Sequence, residues 1–276
     1  MVPVFTVERG FIGAAGFILL LLVESVCPFR PRVESRWRRY ALNLFIGGSN
    51  ALLLSVLLGG LIVSVYHAFE LQRVGMLYRF GIDSWANVVL TVIALDGITY
   101  FWHRAYHGIP LMWRMHRVHH SDRDLDVTTS GRFHLTEMVL SAVFRIVVIA
   151  ALGASVASVV MFEIIFGVSN QLEHANLSFP EPFETWLRWV IVTPDMHRIH
   201  HSQVHEETNS NYSTIFSWWD RFFKTYRFGA DQQRIVIGLP EYGAAEDVTF
   251  GNVLAMPLGP PCALTRGRDV GLVSSP

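Results

Sequence analysis

The sequence predicts an all-α integral membrane protein, in which a bundle of about four membrane-spanning or re-entrant helices supports a cytosolic helical cap. Three observations lead to this fold class. Hydrophobic residues make up 51% of the chain and charged residues only 16%, which is apolar for a soluble domain. Several apolar runs approach the length of a membrane span. Most of the twelve histidines stand at spacings that place side chains on one face of a helix.

Charge and cysteine content exclude several classes of function. The chain has 22 basic and 23 acidic residues, so it lacks the basic excess typical of nucleic-acid-binding proteins, and we expect no nucleic-acid partner. Two cysteines, Cys27 and Cys262, are too few for a cysteine-rich metal site or a multi-bridge disulfide framework. Metal chemistry in this chain would therefore depend on imidazole.

A first membrane helix is predicted at about residues 9–27, centred on the apolar run Phe11–Val23. Glu8 and Arg9 cancel in charge and no small-residue cleavage pattern follows, so a retained helix is favoured over a signal peptide. The positive-inside bias assigns the following arginines to the cytoplasmic side and the N-terminus to the opposite side. These arginines are Arg30, Arg32, Arg36, Arg38 and Arg39.

Two further membrane helices are predicted at about 41–69 and 85–102. The third helix would deliver His103 to the cytoplasmic face. Asp96, seven residues earlier, shares the helix face of His103, and an acid at this depth is costly unless it has a partner. We interpret it as a carboxylate that holds an imidazole N–H; the alternatives are a hydrogen bond between helices and an acid that extends to the membrane surface.

A hairpin is predicted at 136–172, with apolar runs Met138–Leu152 and Val156–Val168 on either side of Gly153. Each run is shorter than the roughly 20 residues of a full span. Either the hairpin dips into the membrane and turns at Gly153, or extensions through Thr136 and Leu172 make two tilted spans. Both alternatives return the chain to the cytoplasmic side.

The remaining segments complete one predicted domain, 1–276. A cytosolic catalytic cap comprises 103–135 and 173–250, and Pro194 suits the first turn of a helix within it. The Gly-, Pro- and Ser-rich tail 251–276 is expected to be loosely ordered.

Nine histidines are the candidate catalytic and metal-binding residues. More than four or five imidazoles exceed what one first-row metal ion can hold, so the count favours two ions. The nine are His103, His107, His116, His119, His120, His174, His197, His200 and His201. His67 is assigned no role, and the roles of His134 and His205 stay open.

Known soluble metal motifs do not explain this pattern. The Glu-x-x-His pairs of carboxylate di-iron bundles are absent from the sequence, and so is the His-Glu-x-x-His motif of zinc proteases.

From Asp96 to Tyr226 the chain resembles the fatty acid hydroxylase superfamily, also called the sterol desaturase family, of integral membrane di-metal oxidases. The resemblance rests on the spacings His103-x3-His107 and His116-x2-His119-His120, on the NQLEH sequence ending at His174, and on TPDMHRIHHS. The most specific feature is an Asn-Tyr pair and then a Trp-Asp pair after the last histidines. These residues are Asn211, Tyr212, Trp219 and Asp220.

The resemblance implies an O2-dependent oxidase in which the nine histidines bind two irons and a lipid C–H bond is hydroxylated or desaturated. It further implies that Asp96 and Asp220 orient ligands through hydrogen bonds. Asn170 replaces a histidine of several family members and is expected to bind metal, if at all, through a water. Zinc would be able to substitute for iron in a purified sample.

The partners implied by the resemblance are a lipid in the membrane and a separate electron donor, either a ferredoxin or a b-type cytochrome with its reductase. The segment Met138–Val168 would enclose the lipid chain. Phe101, Trp102, Trp113 and Phe133 would either line the entrance or anchor the protein at the membrane interface.

Two alternative functions are retained. A carotenoid hydroxylase or ether-lipid monooxygenase would share the metal site and differ in its pocket. A non-enzymatic membrane protein that binds or transports metal would need ionisable residues along its spans, and Asp96 and Glu163 make a poor pathway.

Overall fold

Antiparallel helices form the framework of the protein in a computed structural model, which describes residues 2–259 and the side chains from Gly10 onward. Among these residues the only β-pairing consists of isolated bridges, so the predicted all-α class is confirmed. The α-helices are α1 (Val2–Val26), α2 (Arg36–Leu54), α3 (Gly60–Leu71), α4 (Met76–Arg79), α5 (Ser84–Gly108), α6 (Pro110–His120), α7 (Leu135–Leu152), α8 (Val156–His174), α9 (Phe183–Leu187), α10 (Pro194–His200), α11 (His205–Thr208), α12 (Trp218–Phe222) and α13 (Phe250–Ala255).

Four helices in the described part of the chain are long and apolar enough to cross a membrane. They are Arg36–Arg79, Ser84–Gly108, Leu135–Leu152 and Val156–His174. The first of them joins α2 to α3 through a π-helical turn at Ser55–Gly59. The apolar part of α1, Gly10–Val26, is shorter and packs along α8.

The hairpin of α7 and α8 runs the full length of the bundle. Its turn at Gly153 has a left-handed backbone (φ 76°), and the Gly153 carbonyl accepts a hydrogen bond of 3.2 Å from the side chain of Asn87, near the start of α5. His103 lies at the opposite end of α5. Because the turn reaches the end of the bundle far from the histidines, this geometry favours two complete spans over a re-entrant hairpin.

A buried polar junction ties the helices together at the histidine end. Arg39 on α2 pairs with Asp122, at 2.7 Å, and with Asp126, both in the loop that follows α6. The carboxylate of Glu24 on α1 accepts hydrogen bonds from the backbone N–H groups of Val127 and Asn176. Arg39 is therefore buried. In the sequence, it counts with four other arginines as evidence for the cytoplasmic side.

The beginning of the predicted loose tail is folded. Val253 and Met256 are buried against Val118 and Ile46, because their spacing of three places both on the inner face of α13 and the 3₁₀ turn that follows it. The prediction of loose order is therefore wrong for residues 251–259. Its remainder, 260–276, lies outside the described residues.

Gly75 tests the packing of the far end of the bundle. A Cβ at Gly75 would lie 2.2 Å from Gly153 Cα, and its φ of 115° is strained for other residues. Gly75→Ala is expected to lower the free energy of unfolding by roughly 3–5 kcal/mol. Gly81 also has a positive φ but nothing within 4 Å of its Cβ position, so Gly81→Ala should cost only about 1–2 kcal/mol. Thermal unfolding in detergent measures both changes, and equal losses would contradict the close contact.

Candidate metal centre

The nine predicted histidines come together in two adjacent clusters. In each cluster, every histidine contributes one ring nitrogen, and these nitrogens all lie within 4.8 Å of one another. The five-histidine cluster consists of His103, His107, His116, His120 and His200. The four-histidine cluster consists of His119, His174, His197 and His201. His67, His134 and His205 lie outside both clusters.

Each His-x-x-His-His sequence divides its histidines between the two clusters. On α6, His116 and His120 belong to the five-histidine cluster and His119 to the four-histidine cluster. The second His-x-x-His-His sequence, at the end of α10, reverses this pattern. His200 belongs to the five-histidine cluster, whereas His197 and His201 belong to the four-histidine cluster. Positions i and i+4 of a helix therefore serve one cluster while i+3 serves the other.

Local sequence explains where the two short helices begin. α6 and α10 each begin with a proline, Pro110 and Pro194, which suits the first turn of a helix. At α10 the hydroxyl of Thr193 accepts a hydrogen bond from the backbone N–H of Met196 and caps the helix. The start predicted at Pro194 is confirmed.

Backbone carbonyls fix the protonation of the imidazoles in the five-histidine cluster. Nδ1 of His103 lies 2.8 Å from the Tyr212 carbonyl oxygen, and Nδ1 of His200 lies 2.7 Å from that of Ser210. A carbonyl oxygen only accepts hydrogen bonds, so both rings carry their hydrogen on Nδ1. In the neutral rings, both Nε2 atoms therefore present lone pairs.

These lone pairs point at each other. Nε2 of His103 and Nε2 of His200 are 3.1 Å apart. Two unprotonated nitrogens cannot form a hydrogen bond with each other, and at this distance their lone pairs repel. A cation bound by both nitrogens removes the repulsion.

The four-histidine cluster also brings ring nitrogens close together. Nδ1 of His174 donates to the Asn170 carbonyl oxygen at 2.6 Å. Its Nε2 lies 3.0 Å from Nε2 of His119 and 3.1 Å from Nε2 of His197. Five and four imidazole nitrogens are donor sets that suit first-row metal ions, so the residues present fit two metals.

Burial keeps the clustered imidazoles in the form that binds metal. It lowers the pKa of His116 to about 3. Burial, followed by the neighbouring imidazoles, also holds the pKa of His119 and His201 well below the usual value. These rings therefore stay neutral at physiological pH, with a lone pair available.

Two buried carboxylates beside the clusters received no role in the sequence analysis. Glu137 Oε1 lies 2.7 Å from Nδ1 of His116. Glu173 Oε2 lies 3.7 Å from Nδ1 of His197, and neither of these two atoms has a hydrogen-bond partner. A small shift would let them pair. The sequence signals were present, because Glu173 precedes His174 directly and Glu137 follows His134 by three residues, but neither spacing is a known ligand motif.

Asp96 does not contact an imidazole, so that interpretation is wrong. Its carboxylate accepts hydrogen bonds from the backbone N–H groups of Ile215 and Phe216 and from the Trp219 indole. Two donors from the loop before α12 and one from α12 itself occupy both oxygens. The alternative of a hydrogen bond between segments is what the structure shows, and the effect is to fix the loop that precedes α12.

Asp220 acts on a histidine through a peptide group. Its carboxylate accepts hydrogen bonds from the backbone N–H groups of Tyr212 and Ser213. The Ser213 N–H belongs to the same peptide as the Tyr212 carbonyl that accepts from His103. Asp220 therefore orients His103 indirectly.

Asn170 contacts His174 through its backbone rather than its side chain. The backbone carbonyl accepts from Nδ1 of His174, whereas the side-chain amide donates to the Ser130 carbonyl. His134 caps α7 by accepting from the N–H of Thr136, and its ring lies outside the clusters.

A cavity of about 350 Å³ opens onto both clusters. His103 and His116 from one cluster and His119, His174 and His197 from the other line its inner end. The rest of the wall is mostly apolar and includes Leu95, Met138, Phe144, Val148, Phe162 and Phe166. The expectation that Met138–Val168 contributes to an enclosure for an alkyl chain is consistent with this wall.

Only two of the four aromatic residues proposed for the entrance line this cavity. Trp102 stacks on Phe144 at 3.8 Å between ring centroids, and Phe133 stacks on His119 at 4.4 Å. Phe101 packs on Phe223 away from the cavity, and Trp113 is buried beside His107.

The pH dependence of stability tests the burial of the imidazoles. A histidine in the unfolded chain protonates near pH 6.5, whereas His116 in the fold does so only near pH 3. Between these values the unfolded state binds more protons, so the stability of the metal-free protein falls as pH falls below about 6.5, by up to about 1.4 kcal/mol per pH unit for each such histidine.

The measurement is thermal unfolding at about pH 7.5, 6.5 and 5.5. Ordinary carboxylates titrate below these pH values and therefore contribute little to the change. Metal-free protein should unfold at progressively lower temperature. Zinc-loaded protein should change less, because a bound imidazole resists protonation. Identical profiles with and without zinc would contradict a metal site at these histidines.

Comparisons with known proteins agree with this geometry. Residues 88–225 match the family described as fatty acid hydroxylase, and this segment contains all nine clustered histidines. No solved structure matches the chain.

Curated relatives include lipid-modifying enzymes. The chain is similar to an alkylglycerol monooxygenase of Xenopus tropicalis, with 30% identity over 54% of this chain and 32% of the relative. It is similar to an ornithine lipid hydroxylase of Rhizobium tropici, with 29% identity over 54% of this chain and 45% of the relative. A very-long-chain aldehyde decarbonylase of Oryza sativa subsp. indica is 31% identical over 50% of this chain and 23% of its own length. The chain thus spans less than half the length of these relatives. Since the family match covers half of the chain and holds both histidine clusters, the chain belongs to the fatty acid hydroxylase family.

Proposed function

We propose that this chain is a membrane-bound, O2-dependent oxidase that holds two irons and hydroxylates, or desaturates, an alkyl C–H bond of a lipid. The observation that carries the proposal is the approach of His103 Nε2 and His200 Nε2 to 3.1 Å with both Nδ1 atoms bonded to carbonyls. Such a pair needs a cation. Family membership favours iron over the other metals that imidazole binds, and zinc would be able to replace iron in a purified sample.

Each cluster would hold one ion. Five imidazoles would bind the first and four the second, with the remaining positions open toward the cavity. Asp220 and Asn170 would act as positioning residues through the peptide groups that receive His103 and His174. Glu137 and Glu173 would add negative charge next to ligands that are themselves neutral.

The bound irons would supply O2 activation and electron transfer to it. The protein's own part is to place the substrate and to exclude water. An alkyl chain between the apolar residues of α5, α7 and α8 would present a C–H bond to the histidines at the inner end of the cavity. Trp102 and Phe133 would form a rigid wall at that point, because each ring is stacked on another.

Hydroxylation is the first choice of reaction. Two of the relatives are named as a monooxygenase and a hydroxylase, which both insert oxygen. Similarity to alkylglycerol monooxygenases makes an ether lipid a specific candidate substrate. A carotenoid hydroxylase and a metal transporter gain no comparable support.

We further propose that the histidine end of the bundle faces the cytoplasm and that the N-terminus faces the opposite side. The arginine-rich segment between α1 and the start of α2 lies at the histidine end, as its contacts with Asp122 and Asn176 show. Cytoplasmic loops carry an excess of basic residues. A separate ferredoxin, or a b-type cytochrome with its reductase, would deliver electrons from that side.

Replacement of a clustered histidine tests the function. His119→Ala should lower turnover at least about 100-fold, because it removes one of the four donors of a cluster. His205→Ala is the matched control, since His205 stands close in sequence to the clusters but outside them, and it should retain activity. Both variants should insert into membranes.

The measurement is the lipid composition of a host that expresses each variant. The wild type and His205→Ala should produce a lipid that gains one oxygen or loses two hydrogens, and His119→Ala should not. Full conversion by His119→Ala would refute the ligand assignment.

A further inference from the structure

An ion pair lines the cavity between the two membrane helices α7 and α8. Nη1 of Arg145 donates to Oε1 of Glu163 at 2.6 Å, and both side chains belong to the wall of the cavity that opens onto the histidines. Each stands seven residues from the end of its helix near the Gly153 turn, roughly 10 Å from that end at 1.5 Å per residue. The pair therefore lies near the middle of the apolar part of the bundle.

Charged residues at this depth are costly and usually face a partner or a polar cavity. The pair reduces the cost, and the rings of Phe162 and Phe166 lie 5.8 and 5.3 Å from the guanidinium carbon. The side chains nevertheless remain 28% and 20% exposed, into space that the cavity provides. A guanidinium has five N–H groups, and the bond to Glu163 Oε1 uses one of them. Arg145 can therefore also donate to a ligand.

The pair and five of the clustered histidines line the same cavity but are separated along the bundle. Glu137, which contacts His116, and Arg145 are eight residues apart on α7, or roughly 12 Å along the helix. Between them on this helix, the cavity wall includes Ser141 and the apolar ring of Phe144, and Val148 continues the apolar wall beyond Arg145. An alkyl chain fits the apolar part, but a chain that ended against the ion pair would strip it of polar contacts at a considerable cost.

We propose that the substrate is a lipid with an uncharged hydrogen-bonding group, such as a hydroxyl, ether, ester or amide, which binds the Arg145–Glu163 pair while its alkyl chain extends to the histidines. This inference rests on the proposed function and adds a recognition site to it. The carbon that is oxidised would then be set by its distance along the chain from the polar group.

An uncharged group suits the pair better than an anion. Arg145 can donate several hydrogen bonds and each carboxylate oxygen of Glu163 can accept more than one, so a hydroxyl or amide can bond to both residues. A carboxylate would gain the attraction of Arg145 but would stand beside the negative Glu163 in a medium of low dielectric. The net charge of the pair is zero, so it has no excess positive charge to attract an anion.

Binding of three chain-matched probes tests the inference without any oxidation step. The protein is placed in lipid nanodiscs, and apparent Kd values for 1-tetradecanol, tetradecane and tetradecanoate are obtained from the ligand-dependent rise in Tm. Tetradecanol should bind the wild type at least about tenfold more tightly than tetradecane, as expected for hydrogen bonds to charged groups. Tetradecanoate should bind no more tightly than tetradecanol.

Variants connect the preference to the pair. Arg145→Met with Glu163→Leu removes both charges together, and it should reduce the preference for the alcohol to about twofold or less. The reversed pair, Arg145→Glu with Glu163→Arg, should keep it. Arg73→Met with Asp83→Leu is the matched control at an exposed ion pair outside the cavity, and it should behave like the wild type.

Equal affinity of the wild type for the alcohol and the alkane would overturn the inference, and so would a tenfold preference that survives in the uncharged variant. If that variant does not fold, the comparison of probes on the wild type decides alone. A wild type that prefers the alcohol but oxidises no lipid would refute the proposed function and leave the recognition site standing.

Discussion

Repulsion between buried imidazole lone pairs is the constraint on which the rest of this structure depends. His103 and His200 are forced by backbone carbonyls to direct Nε2 inward, and they meet at 3.1 Å. In the second cluster, Nε2 of His174 likewise lies close to another imidazole nitrogen, at 3.0 Å from Nε2 of His119. Without a cation, the contact between His103 and His200 opposes folding; a cation in the cluster would make both nitrogens its ligands. We therefore expect a metal to complete the site, because the rings of His103 and His200 cannot turn away from each other without losing their carbonyl contacts.

The bundle concentrates its polar interactions where they hold this site. Arg39 binds Asp122 and Asp126, and this buried junction fixes the loop that leaves α6. Glu24 fastens the same loop to the end of α8. Below this layer the helices are mostly apolar, and the cavity between them provides a path for an alkyl chain. The Arg145–Glu163 pair interrupts that apolar region and lines the cavity.

Sequence spacing singled out the nine histidines that the structure groups in two clusters, because helical periodicity places residues i, i+3 and i+4 near one face. The helices and the turn at Gly153 also followed from local pattern. Spacing did not show how each histidine sequence divides between two clusters, since that depends on how α6 and α10 cross. The roles of Glu137 and Asp96 were missed for a related reason. The sequence does not show which segment packs against a carboxylate. Glu137 contacts His116, whereas Asp96 contacts the loop before α12 and the Trp219 indole instead of an imidazole.

The metal content of the intact protein tests the central claim most directly. Protein extracted from membranes in mild detergent, without added metal or chelator, should contain two metal ions per chain by elemental analysis. X-ray absorption should show nitrogen and oxygen neighbours, with the outer-shell scattering typical of imidazole and no sulfur. A content of one ion or none per chain, in protein that is folded and takes up no further metal on reconstitution, would contradict the account of two imidazole clusters.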